Sequence, residues 1–308
     1  MITVTAGDRF TDIDAYASAV AYAELLNLEG QTARAVLAGE LNYSIPNELR
    51  AIEVSYEAHH APTHDERFVL VDVSDIENIA QFAQVDRVHE VIDHHPGMEQ
   101  YWRERLGDRS DIEPIGASCT QIYERWVRAG RIEEMGKGTA TLLAAGILDN
   151  TLHFTAKITG ERDRVAYAHV LQIAHLPATW AEQYFSWCQR DIEQSLSEAI
   201  RTDTKRMQLE GWPGLLAIGQ LAVWNAEELS GHREVIRATL RAFEEPWMMN
   251  IMSIRQERNY IVVEDDSLQA FVAGVLGVDF VDGVAQTDRL WLRKEVMQAA
   301  IDKVLEEG

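Results

Sequence analysis

Nowhere does this sequence hold 18 consecutive uncharged apolar residues, so no membrane-spanning helix and no membrane partner are expected. The opening stretch MITVTAGDRF lacks the basic start and apolar core of a secretory signal, and the expected address is cytoplasmic. Cysteine is scarce. Cys119 and Cys188 lie far apart and form no CxxC pair, which argues against a disulfide framework or a zinc–thiolate site and leaves two small apolar residues. Positive charge is scarce as well: 28 Lys and Arg stand against 50 Asp and Glu, a formal charge of −22. That field repels nucleic-acid backbones and offers no basic stripe to bind them, so no nucleic-acid partner is expected. A small anion remains admissible where metal ions and a few local cations reverse the field.

With 46% hydrophobic and 25% charged residues over 308 positions, the chain has enough apolar material for two ordinary cores. The first half alternates β-rich runs with helical patterns. Residues 2–7, 32–39, 67–74 and 87–95 read as strands, and 15–30 reads as a helix stopped by Gly30. This rhythm predicts an α/β fold built on a mostly parallel sheet with helices on both faces. Helical patterns follow at 118–130, 138–149 and 161–174, and residues 178–201 read as one long helix. Beyond it the pattern changes to a hairpin at 204–223 turning at Gly211–Gly214, then a helix, two short strands and a final helix near 289–306. The expected organisation is an amino-terminal domain over 1–190 and a smaller mixed α/β domain over 196–308. His59, His60 and His64 fall in a polar stretch that reads as a surface loop, and Trp180, Tyr184 and Trp187 follow helical spacing suited to packing.

Ligands of open parallel sheets collect beyond the carboxyl ends of the strands. Here those exits carry Asp8, Asp12, Asp14, Asp72 and Asp93-His94-His95. Asp12 and Asp14, two apart before a helix, can supply hard oxygen ligands for Mg²⁺ or Mn²⁺; equally, Asp14 can cap the helix while Asp12 is solvated. Asp72 closes the apolar run Phe68–Val71 and suits either a ligand or a turn. Asp93-His94-His95 places a carboxylate and two imidazoles at one exit, where imidazole serves as a Mn²⁺ ligand and as a proton carrier near neutral pH.

Together these segments resemble the DHH superfamily of phosphoesterases, in particular the branch with a DHHA2 second domain that contains manganese-dependent family II inorganic pyrophosphatases and prune-type exopolyphosphatases. The resemblance runs through Gly7–Ala15, Val71–Asp75, Asp93-His94-His95, Gly116–Thr120 and Gly146–Phe154, then through Asp203–Lys205, Gly214–Gln220 and Leu292–Val296. The Gly-Gly-Gly-His signature of the sister DHHA1 domain is absent. The resemblance implies two Mn²⁺ (or Mg²⁺) ions held among Asp8, Asp12, Asp14, Asp72, His94 and either Asp149 or Asn150, with Asp72 bridging. It implies catalytic roles for Asp93, His95 and Lys205. Substrate binding falls to His95, Lys205, Arg293 and Lys294 across an interdomain cleft, and the chain is expected to form a homodimer. The reaction implied is hydrolysis of phosphoanhydride bonds in pyrophosphate or short polyphosphate by metal-activated water. The competing readings are a phosphodiesterase on small nucleotides and a catalytically weakened metal- or phosphate-binding regulator. Two positions depart from the family pattern: Asp8 stands where its pyrophosphatases carry His, and Asn150 stands directly before Thr151, where a ligand Asp is usual.

Overall fold

Apolar runs that end in acids become buried strands whose carboxyl ends share one edge. The computed structural model describes residues 1–61 and 63–307 and separates into two units, Met1–Ala181 and Glu182–Gly308.

The strands of the first unit are β1 (Ile2–Thr5), β2 (Phe10–Thr11), β3 (Ala33–Ala35), β4 (Glu40–Leu41), β5 (Arg67–Val71), β6 (Val88–Asp93) and β7 (Ser110–Ile112). Five of them form one sheet in the order β3-β1-β5-β6-β7, parallel at every pairing. β2 and β4 make a separate two-residue ribbon. β1, which alternates Ile and Val with threonines, is buried throughout, and so is the apolar run Phe68–Val71 of β5, as strands covered on both faces require. The helices are α1 (Ile13–Leu28), α2 (Asn47–Arg50), α3 (Glu99–Leu106), α4 (Ser118–Arg128), α5 (Lys137–Asn150) and α6 (Glu161–Ala174). α1 packs against β1, β3, α4 and α5, and its alanines at 15, 17, 19, 21 and 23, all buried, let those helices approach closely. The other cover is α3: Trp102 is fully buried among Phe68, Leu70 and Val91, and its Nε1 donates to Ser74 O at 2.7 Å. Truncating such an indole costs roughly 3–5 kcal/mol.

The unit boundary falls within α7 (Trp180–Gln194). The single helix expected over 178–201 is in fact two, α7 and α8 (Leu196–Thr202), parted at Ser195 with φ −144° and ψ 45°. Ser195 N bonds back to Ile192 O at 3.1 Å while Ser195 O starts the next helix by accepting from Ala199 N at 2.9 Å. A short polar residue that favours helix ends thus outweighs the apolar periodicity around it.

The second unit continues with β8 (Thr204–Gln208), β9 (Leu215–Val223), α9 (Glu227–Ser230), α10 (Arg233–Arg241), β10 (Trp247–Ser253), β11 (Arg258–Val262), α11 (Asp266–Leu276), β12 (Phe280–Val281), β13 (Val284–Gln286) and α12 (Arg293–Glu307). The expected hairpin is the antiparallel pair β8–β9. Its sheet runs β12-β13-β11-β10-β9-β8, with only β9–β10 parallel. Leu216, Ile218, Met248 and Ile261 of the sheet pack on Leu268 and Val272 of α11 and Val296 and Ala300 of α12. The α/β class, with a parallel amino-terminal sheet and a mixed carboxy-terminal one, is as the sequence predicts; the second unit holds more strands than expected because β12 and β13 are only two and three residues long.

The histidine-bearing loop also differs from expectation. His59 and His64 are exposed, but the His60 ring stacks on Phe82 with centroids 4.1 Å apart, and its Nε2 meets Glu66 at 2.9 Å. Glu66 is buried and accepts from Thr3 and Arg34 too, so the loop is closed over a small polar core.

Candidate metal centre

The site is assembled where β1, β5 and β6 end and α1 and α4 begin. Asp12 caps α1, its Oδ1 accepting from Ala15 N at 3.0 Å. Asp14, in the first turn, is fully buried and turned to α4: Oδ2 accepts from Ser118 N at 2.8 Å and Oδ1 from Cys119 N at 2.7 Å. The bland assignment of the pair is therefore reversed, with Asp12 the cap and Asp14 the inward carboxylate. Asp72 leaves β5 with φ +56°, a left-handed conformation uncommon for a residue with a Cβ, and accepts from Ser118 Oγ at 3.1 Å.

β6 delivers the remaining groups. His94 Nδ1 lies 3.0 Å from Ile115 O, and because a carbonyl only accepts, that nitrogen carries the proton. Nε2 then faces the carboxylates, 3.4 Å from Asp72 Oδ1 and 3.9 Å from Asp14 Oδ2. His95 Nδ1 bonds Asp93 Oδ1 at 2.8 Å and lies 3.9 Å from Asp72 Oδ1, with nearly half of its side chain exposed. Asp93 Oδ1 also accepts from His94 N and His95 N, locking the tripeptide into one turn. Ligand atoms of Asp72, His94 and His95 all lie within 4.8 Å of one another.

Electrostatics report the same crowding. Burial first, and then the neighbouring Asp12, push Asp14 up to about 7 against the pull of the Cys119 and Ser118 donors. Burial also raises Asp72 well above the carboxylate range, reinforced by Asp14, Asp12 and Asp93. Burial works against ionisation of Asp93 as well, but the hydrogen bond and charge of His95 outweigh it and hold that group low. Two acids driven toward protonation beside an oriented imidazole form a donor set that lacks a counter-charge. Hard oxygens with one imidazole suit Mn²⁺ or Mg²⁺.

The other sequence-predicted residues fall as follows. Asp8 accepts from Gln81 through both oxygens, from its Nε2 at 2.9 Å and its backbone N at 3.3 Å. Asp149 and Asn150 end α5, one turn beyond Gly146, where an added Cβ would meet Asp14 Cα and Oδ1 at 3.3 Å. In the second unit the buried Arg293 donates to Asp203 O at 2.7 Å, Asp203 Oδ1 at 2.9 Å and Ile218 O at 3.0 Å. That stitch joins the chain beside Lys205 to the chain beside Lys294, 90 positions apart. Sequence reasoning missed Gln81, the role of Ser118, the Ile115 carbonyl, and the buried Asn250 and Asn259, whose amides bond Trp291 O at 2.9 and 2.7 Å. Small residues at 116–120 before a helical pattern were the only signal for α4, and a buried Asn inside an apolar strand was the signal for the last two.

Residues 2–147 match the family described as DHH family, N-terminal domain. The chain is 24% identical over 249 residues to a probable manganese-dependent inorganic pyrophosphatase of Listeria monocytogenes, covering 77% of this chain and 76% of that protein. It is 31% identical over 174 residues to one from Deinococcus radiodurans, covering 53% of this chain and 51% of the other. Among solved structures, a Methanococcus jannaschii protein provisionally assigned as a family II inorganic pyrophosphatase superposes with a TM-score of 0.74 at 18% identity, over 98% of this chain and all of that one.

Proposed function

We propose, from the match of residues 2–147 to the DHH family's N-terminal domain and from the similarity to manganese-dependent pyrophosphatases, that this chain is a divalent-metal-dependent phosphohydrolase cleaving phosphoanhydride bonds of inorganic pyrophosphate or short polyphosphate. The observation that carries the reading is the convergence of the buried Asp14, Asp72 and His94 Nε2, with the proton-donating Nδ1 already committed to Ile115 O. Burying two acids beside an oriented imidazole without a cation is costly, so the donor set fits a divalent ion.

Asp12, Asp14, Asp72 and His94 are the assigned ligands, with Asp8 at the rim. Of the two residues ending α5, Asn150 sits four positions after Gly146 and so shares its face toward Asp14, offering a neutral carbonyl oxygen. A bound ion, with two expected, would supply Lewis acidity and a water that loses its proton near neutral pH. The chain supplies the rest. Asp93 accepts from His95 Nδ1 and fixes the orientation of the ring, which, when protonated at both nitrogens, would donate from Nε2 to a substrate phosphate. Lys205 and Lys294 take the substrate-binding role that the resemblance implies, while Arg293, already holding three oxygens, contributes its field and ties the chain beside one lysine to the chain beside the other. A pair of chains, expected from the resemblance, completes the reading.

Phosphate release from pyrophosphate, tripolyphosphate and long polyphosphate, each with Mn²⁺ or Mg²⁺, tests it. The two short substrates are expected to be cleaved, and Asp72→Ala or His94→Ala to abolish release; wild-type rates in either variant would sink the assignment. A second reading, a metal-binding regulator, is favoured by the engagement of both Asp8 oxygens with Gln81 and by the neutral Asn150. Tight Mn²⁺ uptake with no release from any substrate would establish it instead.

A further inference from the structure

Three donors at the start of α4 converge on two carboxylates of the site. Ser118 N and Cys119 N take the two oxygens of Asp14, at 2.8 and 2.7 Å, and Ser118 Oγ takes Asp72 Oδ1 at 3.1 Å. The N-cap position of α4 is Ala117, which has no side chain able to cap, so Asp14 does that work from another helix. Ser118 is thus one residue with a hand on each acid. Neither hand is free to move. Gly116 N and Thr120 Oγ1 donate to the buried Asp163 of α6 at 3.2 and 2.6 Å, and Asp163 also accepts from Gly160 N at 2.8 Å. A Cβ at Gly116 would lie 2.6 Å from Asp163 Oδ2, and one at Gly146 would lie 2.4 Å from Cys119 Sγ, so α4 is seated against α6 and α5 with no slack. On the other side, Asp72 is held in a left-handed conformation that strains a residue with a Cβ and needs a local partner to persist.

We propose that Ser118 is a positioning residue of the metal centre: its backbone N–H on Asp14 and its hydroxyl on Asp72 set the spacing and aim of the two carboxylates before an ion arrives. The inference rests on the metal reading above. Groups that orient metal ligands typically govern affinity by roughly 10–100-fold, because a ligand left to search for its geometry charges that search against binding.

The test is calorimetric titration of the full metal-free chain with MnCl₂ alone, with no substrate present. The Ser118→Ala variant is expected to bind Mn²⁺ roughly 10–100-fold more weakly than the unaltered chain. Ser18→Ala is the matched control. It deletes another fully buried hydroxyl of the same neighbourhood, one that donates to Cys119 Sγ at 3.5 Å and touches neither carboxylate, and it is expected to leave Mn²⁺ affinity within about twofold. Urea midpoints of both metal-free variants show that each is folded. Unchanged affinity in Ser118→Ala, or equal losses in the two variants, would overturn the positioning role while leaving the metal site standing. An unaltered chain that takes up no Mn²⁺ would overturn both.

Discussion

Replacing Gly146 by alanine sets two opposed effects against each other. On an exposed helix the change stabilises by about 1 kcal/mol, because glycine carries the larger entropy of the unfolded chain. In α5 the new Cβ would lie 2.4 Å from Cys119 Sγ, about 1 Å inside ordinary contact, and 3.3 Å from two atoms of Asp14. The sulfur has no easy retreat, since it contacts Ser18 Oγ at 3.5 Å and Asp14 O at 3.6 Å. Overpacking of this kind costs about 1–3 kcal/mol, and stretching either backbone bond to the Asp14 carboxylate adds about 1–2 kcal/mol more. The net expectation is a destabilisation of about 2 kcal/mol. With a urea slope near 2 kcal/mol per molar, the midpoint of the metal-free first unit should fall by about 1 M, read through the buried Trp102 and Trp126. Because the clash is with one sulfur, Gly146→Ala combined with Cys119→Ala should be more stable than Gly146→Ala alone. A single variant at or above the midpoint of the unaltered chain, or a double variant that merely adds the two losses, would refute the close-approach reasoning.

Three further outcomes follow from the geometry. Asp93→Asn keeps the shape of the β6 exit but removes the charge that fixes His95, and kcat for phosphate release should drop roughly 10–100-fold with unchanged circular dichroism; a native kcat would remove Asp93 from the machinery. Asn150→Asp adds a charged oxygen at the end of α5, so calorimetric Mn²⁺ affinity should rise roughly tenfold, and an unchanged value would place Asn150 outside the ligand set. Burial works against ionised Glu66, but hydrogen bonds from Thr3, Arg34 and His60 prevail and hold it at about 2, below the ordinary 4.5. A depressed carboxylate contributes stability above its unfolded value and loses it as pH falls through its folded one. Glu66→Gln should therefore cost about 2 kcal/mol at neutral pH, with the gap from the unaltered chain closing between about pH 4.5 and 2; a gap independent of pH would contradict this.

The frame of the site was legible because strand exits announce themselves: an apolar run ending at Asp72, another ending at Asp93-His94-His95, and a parallel sheet that puts both ends on one edge. What stayed hidden depends on partners remote in sequence. Asp12 and Asp14 offer the same carboxylate two residues apart, and only the start of α4, more than a hundred positions on, decides which is turned inward. Gln81 reads as an ordinary exposed amide until the 73-residue separation from Asp8 is closed. The break at Ser195 is invisible to periodicity, since apolar spacing continues on both sides of it. Arg293 was legible as a cation beside Lys294, yet its guanidinium faces Asp203 and Ile218, a direction that no local pattern encodes.

The double duty of Asp14 bears on how such chains drift. One carboxylate both faces the site and terminates a helix that has no cap of its own, so selection for folding alone suffices to retain it. A descendant that had abandoned chemistry would shed residues such as His95, which is half exposed and hydrogen-bonded to Asp93 within its own turn, long before it shed Asp14. Among relatives of this chain, loss of catalysis should therefore be written first at the surface-facing histidine, while the buried aspartate persists as a fossil of the active ancestor.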